Sequence, residues 1–169
     1  MLKSGRCSSR ELITPDQVQG SHKTLREAVL AGGWPTLKAA RGKFLFAMDE
    51  SPEVVAVYRG ARQSLEGRVT FINTDEASPA AGYITLNEPI DLRARIQAAV
   101  KAGFIVRTRA DADTWEARRN DSKPREAAFT SGAQYVSTDY MHPDTRFSDY
   151  QARLPGGGIA RPNPVLAKP

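Results

Sequence analysis

PIDLRARIQAAVKAGFIVRTRADADTWEARRND, residues 89–121, packs a helix, a strand and a charged turn into one run. Leu92, Ile96, Ala99 and Val100 recur at helical spacing, so residues 89–103 read as an amphipathic helix that Gly103 stops. GFIVRTR then changes period. Apolar and β-branched residues at 104–106 read as a strand, and because side chains repeat every two residues, Arg107 and Arg109 share one of its faces. Asp111 and Asp113 follow at once. Cations and then anions at the mouth of a strand pose three alternatives: a binding site, a salt-bridged loop or a metal loop.

The pattern repeats on either side. Thr14 before Pro15, and Thr24 before LREAVLAGG, read as helix caps, the second helix ending at Gly32 and Gly33. Pro35 starts a short helix, PTLKAAR, that Gly42 ends. KFLFAMD (43–49) is a near-continuous apolar run, expected to be a strand buried on both faces. Ser51 and Pro52 open a helix through Val54, Val55, Val57 and Tyr58. RVTFINT (68–74) and GYITLNE (82–88) read as further strands, PREAAFTSG (124–132) as a helix and AQYVSTD (133–139) as a fifth strand. After Tyr140 the tail carries Pro143, Pro155, PGGG and three more prolines, and reads as coil without regular structure.

Alternating strands and helices imply an α/β fold with a parallel sheet. Polar residues at the strand C-termini fit a (β/α) barrel better than a doubly wound nucleotide fold. No G-x-G-x-x-G follows the first strand, and PGGG lacks the Lys-Ser/Thr of a phosphate loop. A whole barrel has eight strands in usually about 250 residues. Five strands in 169 residues therefore predict a partial (β/α)8 barrel.

Composition narrows the classes. The chain has 40% hydrophobic and 25% charged residues, a net charge of +5, and a single cysteine, Cys7, which precludes an internal disulfide and has no assigned role. Lys and Arg are spread rather than clustered, which argues against a nucleic-acid footprint. No apolar run approaches a membrane span, and MLKSGRCSSR lacks the apolar core of a signal peptide. Residues 1–10 are expected to be disordered.

LITPDQVQG (12–20), TLREAVLAGGWPTLKAARGKFLFAMD (24–49), VRTRADADTWEARRND (106–121), SGAQYVSTDY (131–140) and LPGGGIARPNP (154–164) resemble the C-terminal half of calcium-dependent phosphatidylinositol-specific phospholipases C of the bacterial type. These belong to the wider superfamily of phospholipase C and glycerophosphodiester phosphodiesterase TIM barrels. The resemblance implies that residues 11–150 are about strands 4 to 8 of such a barrel, with residues 151–169 a C-terminal coil. It implies phosphoric-diester hydrolysis of a phosphoinositide or another phosphodiester, Ca2+ as cofactor, and the missing N-terminal half of the barrel as a partner. A five-strand remnant would expose two sheet edges, so a truncated, split or partial gene product is expected, the alternative being a genuine short homologue. Relatives of this type look secreted.

In the family, one histidine as base activates the inositol 2-hydroxyl and a second acts as acid, both on the first strands, while calcium and an arginine or lysine hold the phosphate charge. This chain has only His22 and His142, and neither fits; both read as solvated loop or cap residues. No catalytic residue is therefore assigned, and the chain by itself is expected to be inactive. The alternative is a non-catalytic module that binds phosphate or an inositol headgroup.

The resemblance places Asp49 where related enzymes carry a carboxylate calcium ligand; the other reading is a helix-starting carboxylate ahead of Pro52. Arg107 falls at a pocket-lining position and would hold phosphate, with Arg109 beside it as a second substrate-binding candidate. The competing reading makes both arginines salt-bridge partners of Asp111 or Asp139. Asp111 and Asp113 are expected in a rim loop tied down through Arg118, Arg119 and Asp121. They do not form an EF-hand loop, since Trp115 and Glu116 occupy its fifth and sixth positions. Asp139 and Tyr140 close the last strand, Asp139 resembling a structural acid of the superfamily. Asp75, Glu76 and Glu88 are undistinguished strand-end carboxylates. Trp34 and Trp115 are expected to pack.

Overall fold

The computed structural model describes residues 11–166. The disorder expected for residues 1–10, and Cys7 with it, lie outside the described residues. The chain divides into two compact units, Met1–Ile84 and Thr85–Pro169.

The first unit runs α1 (Pro15–Gln19), α2 (Leu25–Leu30), α3 (Leu37–Ala40), β1 (Phe46–Met48), α4 (Pro52–Arg59), β2 (Thr70–Ile72) and most of β3 (Tyr83–Thr85). Its helices start where their caps stand. The Thr14 side chain accepts from Gln17 N, and the Gln17 side chain accepts from Thr14 N, a reciprocal box that satisfies two otherwise orphaned donors. Thr24 and Thr36 accept from Glu27 N and Ala39 N in the same way. Leu25, Ala28 and Val29 form the buried stripe of α2. Leu25 is fully buried, a placement that stabilises by roughly 1.5–3 kcal/mol.

β1 and β2 pair in parallel, Phe46 opposite Thr70 and Met48 opposite Ile72, and Asn73 makes an isolated parallel bridge to Tyr83. The expectation of a doubly buried strand at 43–49 is corrected here. Phe46 is 50% exposed, Ala47 is exposed and Met48 only half-buried. Apolar composition makes the strand, but burial needs a layer on each face. Phe44 and Phe46 instead stack on one another, ring centroids 6.5 Å apart. Likewise α4 buries only Val55, leaving Val54 and Val57 in solvent.

A serine that sequence patterning passes over organises this unit. Ser64 is fully buried; its Oγ accepts from Leu25 N at 3.0 Å and donates to Pro79 O at 3.1 Å. It thereby joins the first turn of α2 to the segment ahead of β3. Gly82, in that segment, lies so close to Leu25 and Phe71 that an added Cβ would meet them at 3.1 and 3.3 Å. Trp34 packs as expected, 5.2 Å from Phe71.

The second unit carries α5 (Arg93–Lys101), β4 (Ile105–Arg109), α6 (Trp115–Arg119), α7 (Lys123–Ser131) and β5 (Tyr135–Ser137). Its sheet has the order β3-β4-β5, and β4 and β5 are parallel, Arg107 opposite Tyr135 and Arg109 opposite Ser137. α5 and α7 pack on β4. Val106, Thr108 and Ala110 are buried, together with Ile96, Ala99 and Val100 of α5 and Ala128 of α7. The fold is thus α/β with parallel strands, arranged as a two-stranded and a three-stranded sheet.

α6 falls inside the segment read from sequence as a charged loop. Its only buried residue is Ala117, so it offers no apolar stripe to recognise. Trp115, expected to pack, is 60% exposed with the Arg119 guanidinium over its ring. The tail from Tyr140 to Leu166 has no helix or strand among the described residues, but it is anchored. Tyr150 is fully buried against Ala117 and Tyr140, with Phe147 alongside.

Candidate functional site

The period of two in β4 separates its side chains by function. Val106, Thr108 and Ala110 go into the core, and Arg107 and Arg109 stand half-buried on the opposite face. The segment after β3 is drawn alongside when Leu86 N donates to Arg107 O at 2.9 Å. That contact brings Asn87 under both cations. Arg107 NH1 donates to Asn87 Oδ1 at 3.1 Å, and Arg109 Nε donates to the Asn87 carbonyl at 3.2 Å. Arg109 NH2 also donates to Glu88 Oε1 at 2.5 Å. The ion pair of Arg109 is therefore with Glu88, and neither Asp111 nor Asp139 fills the role the salt-bridge reading gave them.

A cavity of about 150 Å³ opens beside this cluster, lined by Asn87, Glu88, Arg109, Asp111 and Glu116 among others. Arg109 is the one cation of its described lining, facing several carboxylates. Its charge is already matched by Glu88, so a phosphate here would have to displace that carboxylate. Both arginines thus reach Asn87, Arg107 through its side-chain amide and Arg109 through its carbonyl.

Asp111 is the buried hub of the adjoining loop, 5% exposed. Its Oδ1 accepts from Asp139 N at 2.8 Å; its Oδ2 accepts from Thr138 Oγ1 at 2.5 Å and from the Tyr150 hydroxyl at 3.1 Å. A buried carboxylate is tolerated when donors surround it in this way. Burial, with the Asp111 charge next in effect, pushes the Tyr150 phenol well above its ordinary range. Tyr140 meets Tyr150 edge-on, ring centroids 5.7 Å apart, and its N–H donates to Thr138 Oγ1.

Of the three residues expected to brace this loop, Arg118 reaches back to Thr114 and Asp121 binds through its backbone, while Arg119 does not brace it. Arg118 lies over Phe147 and donates to Thr114 Oγ1, and Arg119 lies over Trp115. Glu116 braces it too: its Oε2 accepts from Ala112 N, and its carbonyl accepts from Asp121 N. Asp121 also uses Oδ1 to accept from Lys123 N at the start of α7. Asp113 is exposed and takes a left-handed φ of 55°. The Asp139 side chain is also exposed, its contribution to the Asp111 hub coming from its backbone.

Asp49 follows β1 in the first unit and is exposed, so the argument that a buried charge there needs a bound cation does not hold. Asn73 Nδ2 lies 3.4 Å from Asp49 Oδ1. Among the described residues no group of three or more His, Cys, Asp or Glu side chains could hold a metal ion. The described residues do not by themselves fit a calcium site. His22 sits between α1 and α2 with Nδ1 3.2 Å from Gln19 O, and His142 is exposed after β5. Neither ends a strand.

Sequence reasoning missed Asn87, Thr138 and Tyr150. Asn87 stood in the strand-end string YITLNE beside Glu88, but nothing in its spacing linked it to arginines 20 and 22 residues away. No helix among the described residues is long and apolar enough to cross a membrane.

The model of one protein family, Phosphoinositide phospholipase C, Ca2+-dependent, matches residues 5–164. No curated protein and no solved structure matches the chain. The match takes in both arginines of β4, the Asp111 hub and the tail that packs Tyr150. The chain belongs to the Ca2+-dependent phosphoinositide phospholipase C family.

Proposed function

We propose that this chain provides the phosphate-facing wall of a phosphoinositide phospholipase C-like (β/α)8 barrel, and that as this polypeptide alone it turns over no substrate. The observation that carries the reading is the pair of guanidinium groups on one face of β4, both held on Asn87. A guanidinium presents planar donors to phosphate oxygens and stabilises charge that grows there during displacement. Arg107 is assigned the phosphate. Arg109 is assigned a supporting place, its charge balanced by Glu88.

Cleavage also needs a base to take a hydroxyl proton and an acid to protonate the leaving group. Histidine titrates in the right range, but His22 and His142 do not end strands, and β4 brings no histidine to the arginine face. Phosphatidylinositol hydrolysis with calcium tests the reading: no turnover is expected, and sustained turnover by the purified chain contradicts it.

A second reading follows from the same arginines without the chemistry. The face would bind inositol phosphate without cleaving it. It predicts saturable, salt-sensitive binding weakened by Arg107→Ala.

A further inference from the structure

The sheet of the second unit ends on β5, and the side of β5 away from β4 is an open edge. Ser137 turns its backbone to β4, where its carbonyl accepts from Ala110 N at 2.8 Å. Alternate residues of a strand in a parallel ladder turn to opposite neighbours, so Val136 directs its N–H and C=O away from β4. Residues 132–138, GAQYVST, contain neither a charge nor a proline, the usual guards of an exposed edge.

The C-terminal coil runs back along this edge without pairing with it. Ala152 N donates to Tyr140 O at 2.8 Å beyond one end of β5, and Asn163 Nδ2 donates to Gly132 O at 2.7 Å beyond the other. Between these two pins, among the described residues, no backbone hydrogen bond joins the coil to residues 133–139. Pro155 and Pro162 of the coil have no N–H to offer. An open groove of about 570 Å³ is left between, lined by Val136 and Thr138 from the β5 segment and by Arg153, Leu154 and Ile159 from the coil. Arg161 also lines it but is committed to the Phe129 carbonyl, and no carboxylate does so among the described residues.

We propose that an extended segment of another polypeptide adds to β5 in this groove as a further strand. Its backbone pairs with Val136, its apolar side chains lie against Val136 and Ile159, and an acidic side chain meets Arg153. Outward N–H and C=O groups on a strand edge are matched in spacing by another extended backbone, which supplies affinity while the flanking side chains supply selectivity. Residues 133–138 span roughly 20 Å at about 3.3 Å per residue, room for a segment of about six residues. Two other occupants fit less well. A small molecule would need most of its surface enclosed, and this groove is open. A second copy carries the same coil along its own β5, so the two edges cannot meet. The inference does not rest on the proposed phosphodiester chemistry.

The probe is a fluorescein-labelled seven-residue peptide of alternating valine and threonine ending in a glutamate amide, titrated with the 169-residue chain by fluorescence anisotropy. Saturable binding is expected. The same peptide N-methylated throughout keeps its side chains but has no backbone donor, and should bind at least about tenfold more weakly. Val136→Pro removes the outward N–H at an edge position that tolerates proline, and should weaken binding roughly fivefold. Arg153→Gln should weaken it about two- to fivefold, with no further loss when glutamine replaces the peptide's glutamate. Unchanged urea unfolding of each variant shows that its loss is local; if Val136→Pro unfolds the chain, the N-methylated peptide and Arg153→Gln decide between the outcomes. Absence of binding overturns the proposal, as does equal binding of the N-methylated peptide or indifference of a folded Val136→Pro. Self-association lost in Val136→Pro, without peptide binding, would assign the edge to a second copy and also overturn it.

Discussion

The hydroxyl of Tyr150 lies 3.1 Å from Asp111 Oδ2 and 3.1 Å from the Ala110 carbonyl, which fastens the C-terminal coil to the loop that follows β4. Both residues are buried, so the contact is made out of water. Tyr150→Phe removes a donor from a buried carboxylate that keeps Thr138 and Asp139 N. The expected cost is about 1–3 kcal/mol, read as a lower urea midpoint with an unchanged slope.

The same contact has a pH signature. The folded-state phenol is raised above its ordinary value, first by burial and then by Asp111. Below about pH 10, the unfolded value, the stabilisation is fully present, and it is lost as pH rises towards the folded value. Urea midpoints compared between pH 8 and pH 11 should fall more steeply for the parent than for Tyr150→Phe.

Asp144 moves the other way. Arg146 grips it with two parallel bonds, Nε to Oδ1 at 2.9 Å and NH2 to Oδ2 at 2.6 Å, and holds its carboxyl down to about 2. A depressed carboxyl contributes stability above its unfolded value and loses it as pH falls through the folded one. Because the pair is solvent-exposed its effect on stability is small, and the check is an NMR titration. The Asp144 carboxyl should return to the ordinary aspartate range in Arg146→Ala.

In the first unit, Ser64→Ala leaves the buried Leu25 N without the acceptor it has on Ser64 Oγ, and the Pro79 carbonyl with Arg26 N alone. Destabilisation of about 1–3 kcal/mol is expected in urea unfolding. A change within a few tenths of the parent would mean that water replaces the hydroxyl.

The two arginines make opposite predictions for anion binding. Arg107→Ala should weaken inositol phosphate binding in calorimetric titration. Glu88→Gln removes the countercharge from Arg109 and should strengthen it several-fold at low salt, since a charge-assisted contact is worth more than a neutral one. If Glu88→Gln had no effect and Arg109→Ala weakened binding, Arg109 would be the phosphate residue.

What the chain discloses before folding depends on the range over which each interaction acts. Thr14 and Thr24 announce their helices because a cap reaches only three residues ahead, whereas the helix read from Pro35 starts at Leu37 with Thr36 as its cap. The shared face of Arg107 and Arg109 follows from the pleat. Burial does not: KFLFAMD is apolar, yet β1 is exposed, because the layers that would cover it are not local to it. The Asp111 hub is hidden for a similar reason, its side-chain donors Thr138 and Tyr150 standing 27 and 39 residues downstream. α6 has one buried residue and so leaves no periodic trace.

The central claim is that the chain carries the phosphate-facing arginines but not the acid–base pair. Release of inositol phosphate from phosphatidylinositol in mixed micelles with calcium, compared between the parent chain and a variant with both His22 and His142 changed to Ala, tests it most directly. No release above the enzyme-free background is predicted for either. Release by the parent that the double variant abolishes would contradict the account and place the missing base and acid on those two histidines.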